Sequence, residues 1–130
     1  MSTPRSGVAI IVPAWNAAPT LAETLASAIG EQEATEIIVI DDGSTDGTLA
    51  AARRFESRVR VMSGPNRGVS TARNLGIAET TARWLLFLDS DDVLVPGTLA
   101  RRLAVAEASD EDVIITDWED IVDDGAGAAT

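Results

Sequence analysis

Three carboxylates stand within four residues at Asp89-Ser90-Asp91-Asp92, directly after the apolar run Trp84-Leu85-Leu86-Phe87-Leu88. Unshielded, they repel one another. A hard divalent cation held by one or two of them, together with phosphate oxygens of a substrate, would relieve that repulsion, the arrangement Mg²⁺ and Mn²⁺ favour. The same residues equally suit a solvated turn whose side chains cap the helix beginning near Pro96. An EF-hand does not fit, because the sixth position counted from Asp89 is Leu94 and the twelfth is Ala100, where that loop requires a glycine and a bidentate glutamate. A second polar run, Asp41-Asp42-Gly43-Ser44-Thr45-Asp46-Gly47, follows the apolar stretch Glu36 to Ile40. Ser44 to Gly47 read as a tight turn and helix cap. Asp41 and Asp42, two adjacent carboxylates ending a buried strand, can accept hydrogen bonds from a base imide N–H or ribose hydroxyls, and one of them is expected to face a ligand crevice. A third group, Pro13-Ala14-Trp15-Asn16, follows the apolar run Val8 to Val12.

What could bring these groups together is a parallel sheet. Apolar runs of five to seven residues, rich in Val, Ile and Leu, alternate with stretches of helical spacing, the pattern of strands joined by crossover helices. Strands are expected at Val8–Val12 (ended by Pro13), Glu36–Ile40, Arg58–Met62, Trp84–Leu88 and Val113–Thr116. Helices are expected over Thr20–Ile29, closed by Gly30; from a cap at Ser44 or Thr45 to about Phe55; over Val69–Thr80; and from Pro96 to about Ala108. The fold class is therefore α/β, a three-layer α/β/α, doubly wound, Rossmann-like arrangement with a mainly parallel sheet. In such a sheet all strands point one way, so the three polar groups converge on the edge where ligands bind.

Composition narrows the chemistry. The 130 residues suffice for one domain with a sizeable core. With neither cysteine nor histidine, thiolate and imidazole metal sites and Ser-His-Asp hydrolysis are excluded within the chain. The 21 acidic and 10 basic residues give a net charge of −11, which argues against nucleic acid as a partner. All ten basic residues are arginine, so no P-loop or Schiff-base lysine exists, and no Gly-x-Gly-x-x-Gly follows the first strand. The polar start and the absence of a long apolar run predict neither a signal peptide nor a transmembrane segment, hence a cytoplasmic location.

Five segments, in order, resemble the inverting family 2 glycosyltransferases of GT-A fold: Ile11-Val12-Pro13-Ala14-Trp15-Asn16, Glu36 to Asp46, Asn66-Arg67-Gly68, Ala72-Arg73-Asn74 and Phe87-Leu88-Asp89-Ser90-Asp91-Asp92. The resemblance covers about residues 8 to 105. It implies transfer of a sugar from a nucleotide diphosphate sugar, a UDP-sugar by the family's habit, to an acceptor hydroxyl with inversion, the acceptor being a saccharide or a lipid-linked molecule. It also implies a Mn²⁺ or Mg²⁺ cofactor. Carried over by position, Pro13, Trp15 and Asn16 would hold the nucleotide, with Trp15 where the family usually has a stacking tyrosine. Asp42 would recognise uracil or ribose with Asp41 supporting it, Asp89 would contact the ribose, Ser90 would belong to the same donor-binding set, and Asp91, with Asp89, would ligate the metal on the diphosphate. Arg73 would face the nucleotide.

Each of these has a plainer alternative. Trp15 also suits a hydrophobic plug at the sheet edge, and Arg73 an internal salt bridge. Arg67 is a loop candidate only. The family's general base lies in an acceptor half beyond the metal motif. It is not carried onto Asp117-Trp118-Glu119-Asp120, which read as strand-end and edge residues. The expected layout is a disordered segment over residues 1–7, a nucleotide-sugar-binding domain over 8–117 that stops short of the acceptor half, and an edge strand or tail over 118–130. In a longer enzyme the family's setting is the inner membrane face. The competing reading is a nucleotide- and metal-binding or interaction module without turnover, which lacks the acceptor half and its base.

Overall fold

The computed structural model describes residues 7–109. The expected strand Val113–Thr116, the segment 118–130 and nearly all of the N-terminal segment lie outside them. The chain divides into two units, Met1–Ala100 and Arg101–Thr130. The sheet and the candidate site belong to the first.

Eight elements follow in strict alternation: β1 (Val8–Ala14), α1 (Ala18–Ile29), β2 (Ala34–Asp42), α2 (Thr48–Arg53), β3 (Arg60–Gly64), α3 (Val69–Ala78), β4 (Trp84–Phe87) and α4 (Thr98–Ala108). The four strands form one sheet in the order β3-β2-β1-β4, every pair parallel. Helix α1 packs against α2, whereas α3 packs on β1 and β2, as right-handed crossovers require when the chain first winds outward to β3 and then returns across β1 to β4. This is the expected doubly wound α/β fold, with its reversal point between β1 and β4.

β1 and the Ile37–Ile40 stretch of β2 are apolar because both of their faces are covered. All seven residues of β1 are buried, as is β2 from Ile37 to Asp42. Ile10, Ile11, Val12, Ile38 and Val39 join Leu21 and Leu25 of α1 as fully buried side chains. On the opposite face α3 comes close enough that a Cβ on Gly76 would stand 2.6 Å from Ile11 Cγ2. Strand β4 is less covered, its Leu85 and Phe87 being exposed, and among the described residues it is an edge of the sheet.

Four local expectations need correction. Pro13 does not end β1, which continues to Ala14 with Pro13 paired to Ile40. The Ile11 carbonyl accepts the Leu88 N–H at 2.9 Å, so Ile11, and by alternation Pro13, point their backbone groups toward β4. That strand has ended by then, so the missing N–H of proline costs no ladder bond. Ser44 and Thr45 do not cap α2, which begins at Thr48; the Asp46 carboxylate instead accepts the Thr48 N–H at 2.9 Å and the Thr48 hydroxyl. Pro96 precedes α4 rather than lying in its first turn. The helix is not capped by the Asp89–Asp92 run either. Its opening amides, Gly97 and Leu99 N–H, donate to the buried carboxylate of Glu31 at 3.1 and 3.0 Å.

Candidate functional site

The carboxyl ends of β1, β2 and β4 and the start of α3 enclose a cleft of about 550 Å³ at the reversal point of the sheet. Pro13, Trp15 and Asn16 line one wall, Asp42 the base beside β2, and Asp89, Ser90 and Asp91 the other wall. Seven of the nine residues expected to form a site are thus in one place. Asp41 lines a neighbouring cavity of about 220 Å³ between β2, β3 and α3. Arg73 is not part of the cleft wall and reaches it through Asp89.

Each wall is held by identifiable bonds. Asn16 has a left-handed backbone, with φ of 48°, a conformation asparagine tolerates better than most residues. Its N–H donates to Ser44 Oγ at 2.9 Å, and its Oδ1 accepts the Thr45 N–H at 2.8 Å. The next two amides, Ala17 and Ala18 N–H, donate to Thr48 Oγ1 and Asp46 Oδ2. The turn after β2 therefore serves as the cap of α1, whose own first residues supply no side-chain cap. Trp15 is left 56% exposed at the rim, which sets aside the reading of a buried plug.

The two carboxylates ending β2 are both buried and divide their tasks. Asp41 accepts Ser63 Oγ at 2.9 Å and the Ser44 N–H at 3.2 Å, tying β2 to β3. Asp42 accepts the adjacent amides of Arg67 and Gly68 at 2.8 and 3.0 Å, while Asn66 Nδ2 donates to its carbonyl at 3.0 Å. Asp42 is the one that faces the larger cleft.

On the far wall Arg73 Nη2 lies 3.5 Å from Asp89 Oδ1 and its guanidinium sits 5.9 Å from the Phe87 ring centroid. The ion-pair reading of Arg73 is the one seen here, its partner being Asp89, which lines the cleft. Asp89, Asp91 and Asp92 can each offer one oxygen such that all three lie within 4.8 Å of one another. An octahedral ion with ligands at about 2.1 Å places opposite oxygens about 4.2 Å apart, so these exposed carboxylates need only small rotations to share one. Exposed hard oxygens suit Mg²⁺ or Mn²⁺. Burial pushes the Asp92 carboxyl above its ordinary range, with help from Asp91 and Asp89. The Asp46 carboxyl is held below its ordinary range, chiefly by the Thr48 hydroxyl.

Residues not anticipated from the sequence also shape the cleft. Thr20, Val69 and Ala72 line it, and Thr20 and Thr24 of α1 both donate to the Ser90 carbonyl at 2.9 Å. The available signal was the polar spacing Thr20, Thr24, Ser27, Glu31, one stripe of a helix.

The chain is similar to several known proteins. It is 44% identical over 101 residues to the succinoglycan biosynthesis protein ExoU of Rhizobium meliloti (strain 1021), an alignment covering 75% of this chain and 30% of that protein. Among solved structures it resembles S. aureus TarS in complex with UDP-GlcNAc, with a TM-score of 0.70 and 27% identity over 78% of this chain and 31% of that one. It likewise resembles the mannosyltransferase PcManGT of Pyrobaculum calidifontis in complex with GDP-Man and Mn²⁺, with a TM-score of 0.67 and 29% identity over 78% of this chain and 32% of that one. The chain thus spans about a third of the length of these relatives. The glycosyl transferase family 2 matches residues 9–128, and the chain belongs to that family.

Proposed function

We propose that this chain is the donor-binding part of an inverting glycosyltransferase that takes a UDP-sugar and a divalent cation. The observation that carries the reading is the convergence on one cleft of the buried Asp42 carboxylate on one side and the Asp89-Ser90-Asp91 wall on the other, with Trp15 at the rim. Trp15 offers a face for the base, Asp42 an acceptor for a base or ribose donor, and Pro13 and Asn16 the rest of the wall beside Trp15. Asp41 and Arg73 support from behind, through β3 and through Asp89. Asp89 and Asp91 would hold Mn²⁺ or Mg²⁺, with Asp92 beside them. Bound there, the ion supplies Lewis-acid stabilisation of the charge that develops on the departing diphosphate.

The similarity to proteins crystallised with UDP-GlcNAc and with GDP-Man and Mn²⁺ supports a nucleotide-sugar donor and leaves the base to Asp42 and Trp15. Similarity to a succinoglycan biosynthesis protein supports polysaccharide assembly as the setting; a saccharide or lipid-linked acceptor and a cytoplasmic location are part of the same proposal. Among the described residues no helix is long and apolar enough to cross a membrane. The general base is assigned to no residue of this chain, and the 130 residues alone are expected to bind donor without transferring hexose.

Calorimetric titration of UDP into the chain, with Mn²⁺ and again with EDTA, tests the reading, with GDP as the comparison nucleotide. Binding of UDP that requires Mn²⁺ supports it. Absence of binding from a chain that melts cooperatively overturns it, and tighter binding of GDP than UDP overturns the choice of base.

A further inference from the structure

Thr24 is fully buried on α1, between the core residues Leu21 and Leu25, where a purely packing role calls for an aliphatic side chain. A buried hydroxyl costs free energy unless it is bonded, and within a helix it usually bonds back to its own preceding turn. Thr24 instead donates across to the Ser90 carbonyl at 2.9 Å, and Thr20, one turn earlier, donates to the same oxygen at the same distance. Two donors occupy both lone pairs of that carbonyl and fix the peptide plane that joins Ser90 to Asp91. Further along the same stripe Ser27 Oγ accepts the Leu94 N–H at 3.0 Å. The acidic turn, closed on itself by the Asp92 N–H to the Asp89 carbonyl at 3.0 Å, is therefore hung from α1 at Ser90, the residue between Asp89 and Asp91.

We infer that Thr24, aided by Thr20, is a positioning residue for the cation. By holding the Ser90 carbonyl it sets the spacing of the Asp89 and Asp91 carboxylates before any ion arrives. This rests on the reading of those two aspartates as metal ligands. Thr24 does not line the cleft and touches neither ion nor nucleotide. It acts through the backbone, as outer-shell partners of metal ligands do. Ser27 serves as the internal control, because it bonds the same loop beyond the acidic turn.

The test is Mn²⁺ binding to the full chain, measured by electron paramagnetic resonance and calorimetry, with a thermal melt for every variant. Thr24→Val should weaken Mn²⁺ binding by about tenfold or more, in the range typical for loss of an outer-shell bond. Thr24→Ser, which keeps the hydroxyl, should restore it. Ser27→Ala should lower Tm while leaving Mn²⁺ affinity as in the unsubstituted chain. Unchanged Mn²⁺ affinity in Thr24→Val overturns the inference, and so does a loss that merely follows Tm across Thr24→Val and Ser27→Ala alike. If Thr24→Val does not fold, Thr20→Val is read by the same criteria. An unsubstituted chain that binds UDP but no Mn²⁺ overturns the metal reading itself, and this inference with it, a result distinct from the first two.

Discussion

Gly68 donates its backbone N–H to the Asp42 carboxylate at 3.0 Å. With φ of +99° at Gly68, the amides of Arg67 and Gly68 turn toward the same side chain, one to each oxygen. The carboxylate ending β2 thus pins the entry to α3 while facing the cleft. Asp42→Ala should destabilise the chain by about 1–3 kcal/mol, because two amides lose their acceptor. Asp42→Asn, which keeps one acceptor oxygen, should lose less. Urea denaturation checks the stability order. UDP affinity should fall in both variants, so that stability and binding separate in the asparagine.

Trp15 is exposed at the rim, so its removal should leave Tm nearly unchanged. If its ring stacks on the base, Trp15→Ala should weaken UDP binding by about 1–3 kcal/mol, and Trp15→Phe should recover part of it. Calorimetry in the presence of Mn²⁺ measures both.

Asp91 stands among the like charges of Asp89 and Asp92. Asp91→Asn should abolish Mn²⁺ binding and the Mn²⁺-dependent part of UDP binding. In EDTA the same variant should be as stable as the unsubstituted chain or slightly more so, because a repulsive charge is gone. Thermal melts with and without Mn²⁺ show the opposite signs.

Gly76→Ala adds a methyl that would stand 2.6 Å from Ile11 Cγ2 and 3.1 Å from Ile40 Cδ1. Alanine favours a helix over glycine by about 1 kcal/mol. Overpacking a core contact costs about 1–3 kcal/mol, and here both neighbours are buried strand residues, so the variant should be net destabilised. Chemical denaturation gives the sign.

Asp46 is the group through which acid should loosen the joint between α1 and α2. Its carboxyl is held below the ordinary value of 3.8 by the Thr48 hydroxyl first and by backbone amides next. A depressed carboxyl contributes stability that is fully present above its unfolded value and is lost as the pH falls through the folded one. Lowering the pH below 3.8 should therefore reduce Tm more steeply in the unsubstituted chain than in Asp46→Asn. Melting curves across that acid range check it.

The strands were legible where burial is two-sided. Val8 to Val12 and Ile37 to Ile40 are apolar runs because α1 and α2 lie on one face and α3 on the other, and that same burial marks their carboxyl ends as the place where polar residues must have another purpose. What escaped is non-local. The caps of α1 and α4 come from Thr48, Asp46 and Glu31, the last of them 66 and 68 residues from the amides it holds, and no local pattern encodes such a partner. Pro13 looked like a terminator because its tolerance depends on β4 having stopped two residues earlier. Thr24 drew no reading from the sequence, and its bond to the Ser90 carbonyl shows only once the acidic turn is folded beside it.

The pairing of Val8 with Trp84 also governs when the cleft can exist. Strands β1, β2 and β3 are neighbours in sequence and in space, so they can zip up through short closures. Strand β4 must return past both to reach β1, a contact of long sequence separation whose loop-closure entropy is lost before any reward arrives. The α1 groups that hold the acidic turn and the loop after it, the Thr20 and Thr24 hydroxyls as donors and Ser27 Oγ and the Glu31 carboxylate as acceptors, sit on the early part of the chain, while the groups they hold arrive with or after β4. Assembly of the site therefore depends on the strand pairing of longest sequence separation in this sheet: Asp42 is placed by β2, β3 and the start of α3, whereas the aspartate turn is placed only once β4 has paired with β1.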